Sequence, residues 1–391
     1  MNAEPYHRST EAECVRLRQV VDVLFLLSLA ALLVLSLQDM LSGGHPWRQG
    51  DWLVNNSAHD VRRGYFGTIV LAVSDTFGAP VLSVLLLFQW TALVVLFVSF
   101  RKLALAGSDG CSSALLLMSP ALFSTFWIAD PLGALRKELL VFAGLSIATL
   151  SLARGRFVPF WAGVAFVALG VMAHEAMVLF VPLLLAILLT LRLSRAAFLH
   201  ALLACGLVTL AAFHSLLVAV SNTHPTDMSA ICTALTDRGI DEHICSGAIE
   251  WLGHSIADAF RLEPNFLPAQ SLAGFLVSYA AALAPFLYLA LHAENPFRWI
   301  KASFLAGVPF LPLYFAGVDW GRWMSFHVFS IVLLLMAAKA AGTFRLRVPL
   351  SGRSVVIFVI LALCISPNHT IGVTAGGAMR QMMAQIVGFL S

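Results

Sequence analysis

The sequence predicts an all-α, polytopic membrane protein of about 11–12 transmembrane helices with a cytoplasmic N-terminus. Three observations lead there. Hydrophobic residues make up 59% of the 391-residue chain and charged residues only 12%, about half the charge of an ordinary soluble domain. Apolar stretches near the ~20 residues that cross a bilayer recur along the whole length. Backbone groups in lipid must be satisfied internally, so helices are the default, and the strand alternation of a membrane barrel is absent. The chain, 1–391, therefore reads as one transmembrane domain. Its net charge of +3 gives no reason to expect nucleic acid as a partner.

Taken in order, the spans are 20–38, 79–100, 112–128, 138–153, 158–173, 176–192, 197–220, 271–292, 302–317, 324–340 and 354–367. The tail 378–391 is amphipathic or a short twelfth span. The first stretch is too long for a signal-peptide core and lacks a small-residue cleavage site after it, so it reads as a retained helix. Several spans fall short of about 20 residues and are expected to tilt, re-enter or pair in a hairpin.

Lys and Arg in short loops set the orientation. With the N-terminus inside, 15 of the 24 basic residues fall in cytoplasmic segments, in plain connections such as ARGRF (153–157) and RLSR (192–195). The other nine are Arg48, Arg62, Arg63, Arg136, Lys137, Arg238, Arg261, Arg322 and Arg380. Most lie in compact clusters with acids and aromatics: HPWRQGDW (45–52), HDVRRGYFG (59–67), DPLGALRKE (130–138) and VDWGRW (318–323). MAHEAM (172–177) falls on the same outer face. That asymmetry is the main functional signal.

Of six cysteines, only Cys232 and Cys245 share one long polar segment, within the outside loop 221–270. A disulfide there is expected and suits a periplasmic or extracellular compartment. The first outside loop, 39–78, carries Trp52, Asn55, Asn56 and His59 at helical spacing, followed by an apolar run too short to span. It is expected to form one or two interfacial helices, with Trp52, Tyr65 and Phe66 at headgroup depth. No internal repeat of the kind found in many transporters is visible.

Each cluster has a bland reading and a chemical one. Arg62 and Arg63 are headgroup anchors or a clamp for phosphate or pyrophosphate, whose oxygens match guanidinium forks. Asp51 is a helix N-cap or a general base at the bilayer surface. Asp130 before Pro131 resembles an N-cap. Arg136 and Lys137, with Glu138, are snorkelling charges or a buried phosphate-binding shelf. His174 and Glu175 are the tip of a hairpin or a proton-carrying pair, and the zinc pattern H-E-x-x-H is absent because position 178 is Val. Asp319 and Arg322 are spaced to pair on one helix face, while Trp320 and Trp323 form a sugar floor or an aromatic belt. His327 reads as a helix-packing histidine, and PNHT (367–370) carries little to specify it. No Walker loop, dinucleotide fingerprint or serine elbow appears. No cofactor is implied; a divalent cation stays open.

A long first outside loop with an acid, Asp51, and interfacial helices after it resembles the GT-C class of integral membrane glycosyltransferases. The arginine-rich outer face and the long later loop are similar to bacterial polysaccharide polymerases and O-antigen ligases. The Asp-Glu pair common in GT-C first loops is replaced here by Asp51-Trp52. The resemblance implies a site on the periplasmic or extracellular face of a bacterial plasma membrane, in cell-envelope or exopolysaccharide synthesis. It implies a polyprenyl-(pyro)phosphate-linked sugar donor and a glycan or lipid acceptor. Arg62, Arg63, Arg136, Lys137 and Arg322 would hold the phosphate and Trp320 and Trp323 the sugar. Asp51 would be the base, Asp319 would orient Arg322, and His174 and Glu175 would line the acceptor or back up proton transfer. Competing classes are a flippase or transporter of lipid-linked oligosaccharide, and a membrane acyltransferase with a histidine base; a paired His/Asp signature for the latter is not evident in the sequence.

Overall fold

The computed structural model describes residues 4–57, 59–106, 109–221, 228–254, 269–370, 373–375 and 377–390. Over these the chain is helical apart from one short hairpin. The helices are α1 (Glu4–Leu41), α2 (Gly50–Leu53), α3 (Gly64–Phe77), α4 (Val81–Ala104), α5 (Gly110–Leu117), α6 (Phe123–Ala129), α7 (Glu138–Ala153) and α8 (Phe157–Ala173). A 3-10 turn, Glu175–Phe180, leads into α9 (Val181–Thr190), α10 (Arg195–Ser221) and α11 (Met228–Thr236). Then follow α12 (Ala269–Leu291), α13 (Pro296–Leu305), α14 (Leu313–Ala316), α15 (Trp320–Ala340) and α16 (Gly352–Cys364). Strands β1 (Ile365–Pro367) and β2 (Val373–Ala375) pair antiparallel, Ile365 opposite Ala375, before α17 (Gly377–Leu390).

Six of these segments are long and apolar enough to cross a membrane. Four shorter apolar helices, Glu138–Ala153, Phe157–Ala173, Glu175–Thr190 and Gly352–Cys364, pack among them. Proline interrupts the helical ladder of two expected spans: the first is broken, while the second still falls within a segment of spanning length, Pro296–Ala316. The stretch 112–128 becomes α5 and α6 because Pro120 cannot donate to a helix and drives the residues before it extended; Met118 has φ −142 and ψ 120. Hydroxyls take over the freed carbonyls: Ser124 Oγ donates to Leu117 O at 3.0 Å and Thr125 Oγ1 to Ser119 O. The stretch 302–317 divides around Gly307, Pro309 and Pro312. The span expected at 354–367 ends at Cys364, where the chain turns into β1.

Helix α15 is the axis of the bundle, buried along nearly its whole length. Aromatic rings pack around it: Phe329 stacks on Phe142 at 3.9 Å, and Phe123, Phe180 and Phe326 close the cluster edge-on or tilted. Helices α7 and α8 form a tight hairpin. A Cβ at Gly144 or Gly163 would meet the other glycine's carbonyl at 2.7 Å, so only glycine permits that approach.

The first loop is more buried than expected. It does form two helices, α2 and α3, but α2 ends at Leu53, so the spacing of Asn55, Asn56 and His59 is not helical. Asn55 and Asn56 instead staple the loop. Asn55 Oδ1 accepts from the Ser57 amide at 3.1 Å, and Asn56 Oδ1 accepts from the Val61 amide, also at 3.1 Å. Trp52 and Phe66 do not lie at headgroup depth; both are core residues in edge-on contact at 4.9 Å. Cys232 and Cys245 are bonded as expected. A second pair, Cys14–Cys111, joins α1 to α5 at the other end of the bundle. With one disulfide at each end, the cysteines do not choose which end faces an oxidising compartment. Arg261 lies outside the described residues.

Candidate functional site

One end of the bundle collects nearly every cluster singled out in the sequence. Packing of α2 sets the geometry. Trp52 Nε1 donates to Leu135 O at 2.6 Å, fixing a turn in which Leu135 takes a left-handed φ of 56. Arg136, Lys137 and Glu138 follow at once and are delivered inward at the start of α7, all three buried. Across from them Arg63 is also left-handed, φ 68, just before α3. Lys137 Nζ donates to Arg63 O at 2.7 Å and so ties the two strained turns together.

Three arginines, in four ion pairs, frame the end. Arg48 grips Asp39 through Nε and Nη2, both at 2.6 Å, and Nη1 reaches Pro131 O at 3.2 Å. Arg63 Nη2 meets Glu175 Oε1 at 2.6 Å. Arg322 lies between two acids: Nη2 to Glu138 Oε2 at 2.9 Å and Nη1 to Asp319 Oδ2 at 2.5 Å. Such forked pairs keep buried charge tolerable.

Arg136 differs from all of these. It is 5% exposed, yet its side chain makes no ion pair or hydrogen bond among the described residues, and its Nε is a buried donor with no partner. Its one close partner is the Trp47 ring, with the guanidinium carbon 5.0 Å from the centroid. Burial lowers its pKa, Arg322 adds to that, and Asp51, Asp319 and Glu138 oppose it from a distance. A buried guanidinium without a hydrogen-bond acceptor is costly, and an anion from outside would supply one.

Arg136 lines a cavity of about 340 Å³. With it stand Arg63, His174, Asp319, Arg322 and His369, and the rings of Trp47, Trp251 and Trp323. Trp323 adds a buried indole N–H with no partner. His174 is driven down to about 3, by burial and by Arg63 beside it, so it is neutral near pH 7. Its Nδ1 accepts the Ala176 amide at 3.2 Å, which leaves the proton on Nε2. This cavity can therefore offer cations and N–H donors to an anion beside aromatic faces.

The remaining expected residues are placed as follows. Asp51 is buried under this end but is not among the cavity's lining residues. Burial alone would raise its pKa, but Lys137, Arg136, His174 and Arg63 hold it well below the usual carboxylate range. Lys137, driven down to about 8 by burial, sits behind the wall. Glu175 is reached through Arg63. Arg62 turns aside and donates to His254 O at 3.0 Å. Trp320 also leaves the site, packing against Phe275 at 4.9 Å and Tyr314 at 5.7 Å. His327 is satisfied between Tyr279 and Ser303 O, as its position in α15 suggested.

Two features escaped the sequence. Trp47 and Trp251, one in each of the segments 39–78 and 221–270, approach to 6.4 Å and wall the cavity. The second is a His–Asp pair that the sequence did not show: Asp130 caps the turn at Pro131–Gly133 through Oδ1, and its Oδ2 holds His369. The two residues are 239 positions apart, so no local pattern could join them. Among the described residues no group of three or more His, Cys, Asp or Glu side chains could hold a metal ion.

Comparison of the chain with known protein families, with characterised proteins and with solved structures finds no match.

Proposed function

We propose that the protein is a membrane glycosyltransferase that draws sugar from a polyprenyl-(pyro)phosphate donor at the cavity end of the bundle. That end faces away from the cytoplasm in this reading, since the short basic connections belong to the other end. A bacterial plasma membrane and a role in envelope or exopolysaccharide synthesis follow from the donor class. The observation that carries the reading is Arg136: a buried guanidinium that makes no ion pair or hydrogen bond among the described residues, lining a cavity walled by tryptophans.

A lipid-linked phosphate matches these features. Its tail stays among helices, while its phosphate must rest at the helix ends, where charge needs a partner. Arg136 supplies that partner, and Arg63 and Arg322, already held by Glu175 and by Glu138 with Asp319, present their remaining donors in fixed positions. Charge that grows on the leaving phosphate is stabilised by donors already in place. The indole faces suit a sugar ring. Asp51 acts as the buried counter-charge of Lys137 and Arg136, because a carboxylate held so low is a weak base. A second reading, transfer of an acyl group, is favoured by the Asp130–His369 pair alone; it would use the same cavity for a carbonyl oxyanion.

The direct test is binding of a polyprenyl monophosphate to the purified full chain, followed by native mass spectrometry. Wild type should retain the lipid and Arg136→Ala should lose it, with loss of glycan in cells carrying the variant. Equal retention by both proteins would overturn the reading.

A further inference from the structure

We infer that His369, positioned by Asp130, is the catalytic base of this cavity and takes the proton of the acceptor hydroxyl. The inference rests on the transferase reading above and names a residue that the reading lacks.

The pair is built from three elements. Asp130 Oδ2 accepts twice from one residue, from the His369 amide at 2.5 Å and from Nδ1 at 2.7 Å. Asp130 is itself fixed, because its Oδ1 accepts the Leu132 amide at 3.2 Å. On the far side, His369 O accepts the Gly321 amide at 3.1 Å, at the start of α15. Two glycines make room for this loop. A Cβ on Gly133 would meet His369 Cβ at 2.7 Å, and one on Gly321 would run into the Asn368 carbonyl. Backbone and ring are thus both held, and the loop is locked between η-turn 131–133 and α15.

Chemistry follows from that geometry. A ring that donates Nδ1–H to a carboxylate carries its lone pair on Nε2. Nε2 of His369 has no hydrogen-bond partner among the described residues, and His369 lines the cavity with Arg136, Arg322 and Asp319. The other histidine of the cavity, His174, has the opposite tautomer, with Nδ1 occupied and the proton on Nε2. One histidine therefore offers a lone pair and the other an N–H. In the step, the acceptor O–H bond breaks and its proton passes to His369 Nε2. The acceptor oxygen forms a bond to the anomeric carbon. The bond from that carbon to the phosphate oxygen breaks, and its electron pair leaves on the phosphate, against Arg136. Asp130 steadies the imidazolium until the proton passes to the released phosphate or to water. Asp130 is a positioning residue; it does not reach the reacting atoms.

The test uses membrane vesicles containing full-length protein and the host's own lipid-linked glycan. His369→Ala should lower transfer by about 10²-fold or more, and added imidazole should restore part of it. Polyprenyl monophosphate should still bind. Asp130→Asn should lower kcat with little change in KM, and Asp130→Glu should recover part of the rate. A merely structural pair would show neither the split nor the rescue. Wild-type transfer by His369→Ala, or a loss that imidazole does not restore and that abolishes lipid binding too, overturns the inference. If wild type transfers no sugar at all, the transferase reading falls. The pair is then tested alone by diethyl pyrocarbonate and peptide mass mapping. Faster modification of His369 in wild type than in Asp130→Asn supports it, and equal rates overturn it.

Discussion

A cavity lies at each end of α15, and the larger of these two is chemically the poorer. At the C-terminal end about 570 Å³ is enclosed by α1, α5 and the segment after α15. Its cations are either exposed or satisfied. Arg345 and Arg347 face solvent, and Lys339 Nζ rests on the Ser112 and Ser113 hydroxyls at 3.0 and 3.2 Å. Of its two acids, Glu11 is exposed, and Asp109 caps α5 through Oδ1 while its Oδ2 is buried without a partner. At the N-terminal end about 340 Å³ is lined by the buried Arg136, which has no direct partner for its Nε. Volume does not mark the site; a buried guanidinium with an unpaired donor does. The same lesson holds within one end. Arg48 and Arg136 are 6% and 5% exposed, yet Arg48 has Asp39 on its fork and reads as scaffold.

Substitutions can break this contrast. The largest effect is expected from Glu138→Gln, which leaves Arg322 half-answered in the core; removing one member of a buried pair costs about 3–5 kcal/mol. Thermal unfolding should show it, while Arg345→Ala at the other cavity should stay within about 0.5 kcal/mol. Arg136→Ala should behave in the opposite sense. Transfer should fall by about 10²-fold or more, with thermal stability equal to or above wild type, because a buried unpaired cation has been removed. A large loss of stability in Arg136→Ala would mean that the residue is scaffold after all. Trp52→Phe removes the donor to Leu135 O and leaves that carbonyl unpaired, at about 1–3 kcal/mol, and should loosen the Arg136 turn enough to weaken lipid retention. The last effect concerns pH. Lys137 falls from 10.5 to about 8 on folding, chiefly through burial. Between those values the unfolded chain binds more protons, so this group makes stability rise with pH through that window, by at most about 1.4 kcal/mol per pH unit. Below pH 8 the penalty is fully present. Lys137→Met should flatten the slope in a pH series of unfolding curves; an identical slope in both proteins would remove Lys137 as its source.

Helices with continuous apolar runs were legible in the sequence: α4, α7, α8 and α10 fall close to the expected spans. The broken ones carried their signal in Pro120, Pro309 and Pro312, which a length-and-hydropathy reading passes over although each forbids a regular ladder. At the site, the clusters containing Arg63, Arg136, His174, Asp319, Arg322 and Trp323 were legible because charge is rare in this chain. What each residue does with its charge was not. Arg62 and Arg63 are neighbours, yet one binds backbone carbonyls and the other Glu175. Trp320 and Trp323 lie one turn apart on α15, yet the first packs against Phe275 and Tyr314 and the second lines the cavity. His369 stood only within PNHT, a polar stretch with little to specify it, since its meaning depends on Asp130.

The left-handed turns at Arg63 and Leu135 have a thermodynamic consequence. They are the non-glycine positions with positive φ among the described residues, and each such turn costs about 1–3 kcal/mol. Strain of this kind is set when the chain folds, before any ligand arrives. A phosphate entering the cavity would therefore meet donors that need no ordering, and its binding should carry a small entropic penalty. Calorimetry with a polyprenyl monophosphate would register this as affinity that changes little when the protein is further rigidified.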